Sequence, residues 1–359
     1  MSLLEDRYRH VLRLLPASYR AGREEEMVAA FLEGAGGLTD RDNPRPRWSE
    51  IASVAALSVR VRLAGTPAVP RYHAWGRAVR LAALLGLFFH ATLSCLWFAG
   101  FLNTYALRDL LGIDVPGALG TTMPLDAGSA ERLLDIVWGF TCLFGLAAFA
   151  ALTRGRPAAA KVLAVLALLS VCGATLRLLY VLGPFAFETI TTHILVFGPP
   201  VLALFAGFHR DARPPRRPAW VAALPVAAGL ALYAGLSALS VVTDSSVDDT
   251  GAWAWPWMDE PGLALLALLA AAAYAATRPR TPGGRDAALP LALALLTLPL
   301  AAARSMVFLH LSGPPVLGVT YTVQLGALLL CGVAMLVMAA RAMPAREPVQ
   351  GPEAEVFRP

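Results

Sequence analysis

Residues 79–101 read VRLAALLGLFFHATLSCLWFAGF, with Arg80 near the start and His90 near the middle as the basic side chains. At about 1.5 Å of rise per residue, a helix of this length crosses the roughly 30 Å hydrocarbon core of a bilayer. Immediately before it stands Arg71-Tyr72-His73-Ala74-Trp75-Gly76-Arg77. Interleaved aromatic and basic side chains suit the membrane–water interface. They also suit stacking on nucleic acid, but an apolar run that starts directly afterwards favours the interfacial anchor.

Seven further runs of the same kind follow, at approximately 133–152, 162–182, 193–208, 219–242, 262–276, 287–309 and 320–340. The fourth and sixth are short, and Pro199-Pro200 predicts a kink in the fourth. Composition agrees: 57% of the 359 residues are hydrophobic and 15% are charged. The mean hydropathy of +0.58 is too apolar for one water-soluble core. A secreted enzyme, a disordered chain and a nucleic-acid-binding domain are therefore poor readings of the whole. The fold expected is all-α, a polytopic membrane helix bundle of about eight spans.

Loop charge predicts orientation. The loops 153–161, 209–218 and 278–286 carry three, four and three basic residues, and the tail from Arg341 carries three more. In the alternate set, 102–132 has two, and 183–192, 243–261 and 310–319 have none. That set holds Asp244, Asp248, Asp249, Asp259 and Glu260 instead. The positive-inside rule puts both termini in the cytoplasm and the protein in the inner (plasma) membrane, with Trp253, Trp255 and Trp257 near the outer interface. The net charge of +5 then belongs to the inner leaflet's loops, and no nucleic-acid partner is expected.

Residues 1–77 are different, with twelve arginines, nine acids and no long apolar run, so no cleavable signal peptide is expected. Residues 1–64 predict a small cytoplasmic domain of three helices. Leu4, Tyr8, Leu12 and Leu15 recur at helical spacing before Pro16. A second helix is predicted from Ser18 to Glu33 with Tyr19, Met27, Val28, Phe31 and Leu32 facing inward, and a loop over Gly34–Arg47. A third is predicted from Glu50 to about Arg62, capped by Ser49. Three short helices make a small core, so docking on the membrane or on a partner is expected. Residues 65–77 read as linker and anchor, and 344–359, rich in Pro and Glu, as a disordered cytoplasmic tail.

The spans also look duplicated, 78–210 against 211–343. Thr153-Arg154-Gly155-Arg156-Pro157 resembles Thr277-Arg278-Pro279-Arg280, and the same offset aligns Asp135 with Asp259. Arg177 and Arg304 recur in the third and seventh spans. Four spans per half return the chain to the same side, so the repeat would be a parallel 4+4 arrangement.

Arg177 and Arg304 are the most informative residues, because an arginine in a span costs at least about 2.5–3.5 kcal/mol unless it finds a partner or an escape route. Three readings stand: structural pairing as Asp135–Arg177 and Asp259–Arg304, with Glu188 competing for Arg177; contact with an anionic or lipid-like ligand; and snorkelling to headgroups. His193 and His310, near helix ends, are either interfacial hydrogen-bonders or pH-sensitive groups. With His90 they lie on three distant segments, which is no metal spacing. Cys95, Cys142, Cys172 and Cys331 contain no C-x-x-C, and neither a P-loop, an H-E-x-x-H nor a G-x-S-x-G elbow is present. No catalytic residue, metal or cofactor is expected, and the chain does not read as an enzyme.

One segment carries a family resemblance. Tyr8-Arg9-His10-Val11-Leu12-Arg13-Leu14-Leu15-Pro16-Ala17-Ser18-Tyr19-Arg20, followed by Glu24-Glu25-Glu26-Met27 and Phe31-Leu32-Glu33, is similar to a helical prefix heading many actinobacterial multi-pass membrane proteins of unknown function. Related helical domains occur in permease-prefix proteins and in membrane proteins encoded beside PadR-type repressors. This sequence departs from the pattern at Ala21-Gly22-Arg23, and it lacks the long extracytoplasmic domain of macrolide-exporter permeases. The resemblance covers about 60 residues and implies an interaction or signalling domain on a membrane anchor, without a chemistry. Tyr8, Arg13, Tyr19 and Arg20 become the candidate interface for a cytoplasmic protein partner. The favoured expectation is a regulatory, sensing or scaffolding membrane protein. The alternative is a transporter or permease component that uses the duplicated bundle as a pathway.

Overall fold

The computed structural model describes residues 2–34, 45–63, 70–112, 129–177, 185–209, 216–244, 253–278, 286–309 and 315–343. They contain helices and turns, with no strand among them. Among these residues eight helical spans, one of them broken, are long and apolar enough to cross a membrane, which makes this a multi-pass membrane protein.

Three helices precede the bundle. Helix α1 (Leu3–Leu12) starts at Ser2, whose hydroxyl accepts from the Glu5 N–H. Helix α2 (Ala17–Gly34) begins just after Pro16, which has no N–H with which to continue α1. Helix α3 (Trp48–Arg62) starts earlier than Ser49 capping predicts. The Glu50 carboxylate reaches back to the Arg47 N–H at 2.7 Å, so Arg47 takes the cap position. Tyr8, Leu12, Leu15, Val28 and Val54 pack into one buried cluster shared by all three. Tyr8 stacks on Phe31 with ring centroids 3.8 Å apart.

The first span is longer than hydropathy predicts. Helix α4 (Pro70–Leu102) takes up the Arg71–Arg77 anchor without interruption and continues into a wider π-type turn, Asn103–Leu110. The second span is two helices, α5 (Ala130–Thr141) and α6 (Phe144–Thr153). The break has a local cause: the Thr141 hydroxyl donates to the Trp138 carbonyl at 2.9 Å and the Cys142 thiol to the Gly139 carbonyl at 2.8 Å. Side-chain donors thus compete with the helix ladder in the turn where it fails.

Between α6 and α7 (Pro157–Arg177) the chain turns sharply. Gly155 has φ +78°, its N–H reaches the Leu152 carbonyl, and the Arg156 N–H reaches that of Ala151. This is a Schellman stop, with Pro157 supplying the preset φ of the next helix start. Helix α8 (Phe185–Gly207) begins eight residues before the predicted span and runs through both Pro199 and Pro200. Helix α9 (Leu224–Asp244) follows a 3-10 turn, Ala219–Ala223. The short α10 (Trp255–Met258) then leads into α11 (Glu260–Thr277), α12 (Ala288–Leu309) and α13 (Pro315–Ala342). Trp253 is exposed, whereas Trp257 packs inward against the core of α11–α13.

Helix α4 is the hub, packed against α6, α8, α9 and α12. Small residues allow this, since Ala78, Ala82, Ala83 and Ala91 are all buried. Ala78 and Ala82 share a cluster with Ala288, Leu291 and Ala339 from the second half of the chain. The halves 78–210 and 211–343 therefore interlock through α4 rather than pack as two bodies. Thr153 and Thr277 do end matching helices, but Asp135 and Asp259 do not match locally. Asp259 caps α11, while Asp135 lies inside α5, which Ser129 caps.

Large apolar side chains cover the outside, among them Leu202, Leu298 and Leu330, each at least 70% exposed. On a soluble protein so much exposed apolar surface is a liability; on these helices it faces acyl chains. The two ends of the bundle differ in charge. One collects Arg77, Arg154, Arg216 and Lys161, joined by an Arg77–Asp286 ion pair and a Lys161 bond to the Phe208 carbonyl. The other end collects Asp135, Glu188, Asp259 and Glu260.

Candidate functional site

The acidic end holds the densest polar cluster in the bundle, built where the α10–α11 corner meets α12 and α13. Arg304 projects from the last turns of α12 and is fully buried. Its Nη1 donates to Asp259 Oδ2 at 2.8 Å, and its Nη2 donates both to Asp259 Oδ1 at 2.8 Å and to the Pro256 carbonyl at 2.9 Å. Asp259 Oδ1 also accepts from the Gly262 N–H at 2.7 Å, so one carboxylate caps α11 and grips α12. From α13, the Gln324 amide donates to the same Pro256 carbonyl at 2.9 Å, and the Tyr321 ring lies under the guanidinium, 4.9 Å from its centroid. Arg304 Nε and Gln324 Oε1 are buried with no hydrogen-bond partner among the described residues.

The next residue along, Glu260, begins a second network. Its Oε2 lies 3.1 Å from His193 Nε2, and His193 Nδ1 lies 3.1 Å from the Thr175 hydroxyl. This chain links α11, α8 and α7. Deeper in the membrane His193 and His90 flank Phe197, with His90 stacked on it at a centroid distance of 4.4 Å.

The predicted residues separate accordingly. Asp259 and Arg304 come together. Asp135 accepts from the Tyr105 hydroxyl at 2.8 Å, and its expected pairing with Arg177 lies outside the described residues. Arg177 ends α7, but its side chain lies outside the described residues, and so does all of His310. Glu188, in the first turn of α8, is within electrostatic reach of Tyr321. Tyr8 needs correction as an interface residue: it is 7% exposed, because its ring fills the centre of the α1–α3 cluster. Tyr19 packs at the edge of that cluster, Arg20 lies 3.6 Å from Glu24, and Arg13 is exposed.

Gln324, Tyr321, Thr175 and Glu260 are the cluster members that sequence reasoning passed over. Gln324 carried the clearest signal, as the one side-chain amide in an otherwise apolar final span. The chemistry of the cluster is that of a clamp. Both Nη atoms of Arg304 are engaged and it has no exposed surface, whereas Asp259 and Glu260 remain about a quarter exposed. The charge accessible at the cluster itself is therefore acidic. Among the described residues no group of His, Cys, Asp and Glu is placed to hold a metal ion, and the four cysteines are free thiols.

Comparison with family models, with curated proteins and with solved structures finds no match.

Below the cluster lies a cavity of about 460 Å³, walled by α4, α8, α9, α11 and α12. Leu85, Phe89, Val196, Leu232, Ala267 and Leu296 are typical of its lining.

Proposed function

We propose that this chain is a plasma-membrane protein with both termini in the cytoplasm, and that α1–α3 couple the bundle to a cytoplasmic protein partner. The observation that carries the reading is that α1–α3 close their own apolar cluster, separate from the clusters of the bundle, yet leave apolar and basic side chains uncovered toward both ends of α3. Trp48 is 85% exposed and Leu14 45%, with Arg13 exposed beside Leu14. Exposed tryptophan and arginine are the side chains that most often anchor an interface. The basic residues at the end of the bundle where α4 begins support the cytoplasmic orientation. The resemblance of Tyr8–Glu33 to signalling and permease-prefix helices points the same way. The parallel 4+4 duplication belongs to this reading as ancestry.

The test is photocrosslinking from Trp48 and Arg13 positions in native membranes, against a chain beginning at Tyr72. One cytoplasmic protein captured from both positions, lost with the shortened chain and weakened by Trp48→Ala, is the expected result. Capture by neither position, with cysteine labelling placing residue 48 outside the cell, would end the reading.

A transporter is the second reading, and the mid-membrane cavity beside Pro199, Pro200 and Pro299 is the observation that favours it. Against it, the walls carry no charged side chain and Thr92 as their one polar side chain, fewer groups than secondary transporters use to coordinate substrates and ions.

A further inference from the structure

We propose that the cavity between α4, α8, α9, α11 and α12 is a binding site for one acyl chain of a bilayer phospholipid, held in the crevice between these helices. The proposal stands apart from the coupling role and rests on the depth, wall chemistry and size of the cavity.

Depth comes first. Val196, Leu263 and Leu300 line the cavity, and each lies one helical turn inside a member of the polar cluster: His193, Glu260 and Arg304 respectively. Leu195 sits beside Val196, and the wall residues from α9 and the rest of α11 and α12 lie further toward the basic end, so the cavity occupies hydrocarbon depth beneath a polar roof.

The chemistry of the wall selects the occupant. Thr92 is the single polar side chain in the lining, and its hydroxyl already donates to the Phe88 carbonyl at 2.9 Å. The other polar atoms to consider are backbone carbonyls. Pro199 and Pro200 have no N–H, so the carbonyls of Leu195 and Val196, both wall residues, lose their helical donors. A buried water needs two to four polar partners, and a polar solute or ion needs more. Two free acceptors at the Leu195–Val196 edge can hold a single water, but an ion or a polar solute lacks its partners along the rest of the wall. A cavity of about 460 Å³ falls within the roughly 300–1,000 Å³ typical of sites for organic ligands.

The space is also built rather than left over. Ala228 on α9 and Ala264, Ala267 and Ala271 on α11 set its width, where longer side chains would close it. On the α4–α8 side Gly86 seats against the Pro200 ring, where any Cβ would collide, so these two helices are closely packed behind the space. An apolar space at hydrocarbon depth has one abundant apolar solute available to it, the acyl chains of the surrounding bilayer.

The experiment reconstitutes the full chain in phosphatidylcholine–phosphatidylethanolamine vesicles carrying a trace of phosphatidylcholine with a mid-chain diazirine. Irradiation and peptide mapping should find adducts on wall residues such as Thr92 and Ala267, as well as on outward residues such as Leu330. Ala267→Phe, and separately Ala228→Phe, should abolish the wall adducts while leaving those at Leu330. Melting in vesicles reports whether each variant is folded, and the adduct map of the unmodified chain needs no variant. Adducts confined to outward-facing residues would overturn the proposal, as would wall adducts that persist in both folded, filled variants.

Discussion

Asp259 and Arg304 lie 45 positions apart in the chain and meet as a two-pronged ion pair, each prong 2.8 Å long, with the guanidinium sealed from every surface. Because the same carboxylate caps α11, the pair ties the start of one span to the outer turns of another. Removing one partner strands a charge, whereas removing both leaves a tolerable apolar contact. Breaking a buried pair costs about 3–5 kcal/mol, while replacing the whole pair is often close to neutral. Arg304→Met should therefore lower the melting temperature in vesicles strongly, and Arg304→Met with Asp259→Asn, which keeps a capping side chain, should recover most of it. A double variant as unstable as the single one would show that the two residues are not a closed pair.

His193 and Glu260 make a smaller joint between α8 and α11. A hydrogen bond to a charged group contributes about 1.5–3 kcal/mol, so Glu260→Ala should destabilise by an amount of that order. Glu260→Gln keeps an oxygen and adds a donor, and should fall clearly short of that loss. Paired unfolding curves in the same lipid settle the difference, and equal losses would mean that the contact is incidental.

Two glycines of α9 separate packing from propensity. A Cβ on Gly229 would sit 2.6 Å from both Cys95 Cβ and the Thr92 carbonyl of α4, while one on Gly235 would meet nothing within 4 Å. Overpacking costs about 1–3 kcal/mol, so Gly229→Ala should destabilise by that amount. Gly235→Ala should be neutral or gain up to about 1 kcal/mol from helix propensity. A melting series containing both variants checks the contrast, and identical shifts would contradict the α4–α9 register.

Tyr8 is central to the α1–α3 cluster rather than part of a surface. Truncating a buried aromatic costs about 3–5 kcal/mol, which a core this small cannot absorb. Tyr8→Ala in the full chain should expose Leu3–Arg62 to limited proteolysis while the span peptides stay protected. Unchanged cleavage would show that the stacked Tyr8–Phe31 pair does not hold these helices.

Arg9 crosses from α1 to Glu25 of α2 at 2.7 Å and also pairs with Glu5. The charged hydrogen bond from Arg9 holds the Glu25 carboxyl below the ordinary glutamate range. The contribution is therefore complete above that range and disappears as pH falls through the lowered value of the folded state. The pair is exposed, so the effect on α1–α2 docking is modest. Hydrogen exchange of α1 in the full chain should accelerate as pH falls below the ordinary glutamate range and lose that response in Arg9→Gln. An acid response that is the same in Arg9→Gln would assign it to other groups.

What could be read in advance divides along physical lines. Apolar runs announced the spans, because each must satisfy its own backbone in lipid whatever its neighbours do. Their ends were legible only where a local signal was strong, as at Gly155-Arg156-Pro157. Where side chains intervene the ends moved: Thr141 and Cys142 broke the second span, and Glu50 started α3 early. Arg304 stood out in the sequence because a charge in a span is costly, and Asp259 was its natural partner. Gln324, Tyr321 and the Pro256 carbonyl were harder to foresee, since they reach Arg304 only when α10, α12 and α13 converge.

Hydropathy by itself determined that this is a multi-pass membrane protein, helical and with eight apolar spans among the described residues, and the period of Leu4, Tyr8, Leu12 and Leu15 determined which face of α1 is covered. Tertiary structure alone decided that α4 is the hub, that the two halves interlock, that Arg304 is a buried clamp, and that a cavity lies beneath it. The reason is that lipid tails are as apolar as the spans, so no hydrophobic gain chooses a helix's neighbours. The choice falls to small residues that let backbones approach and to polar side chains that need a partner, and both act across distances that the linear chain does not display.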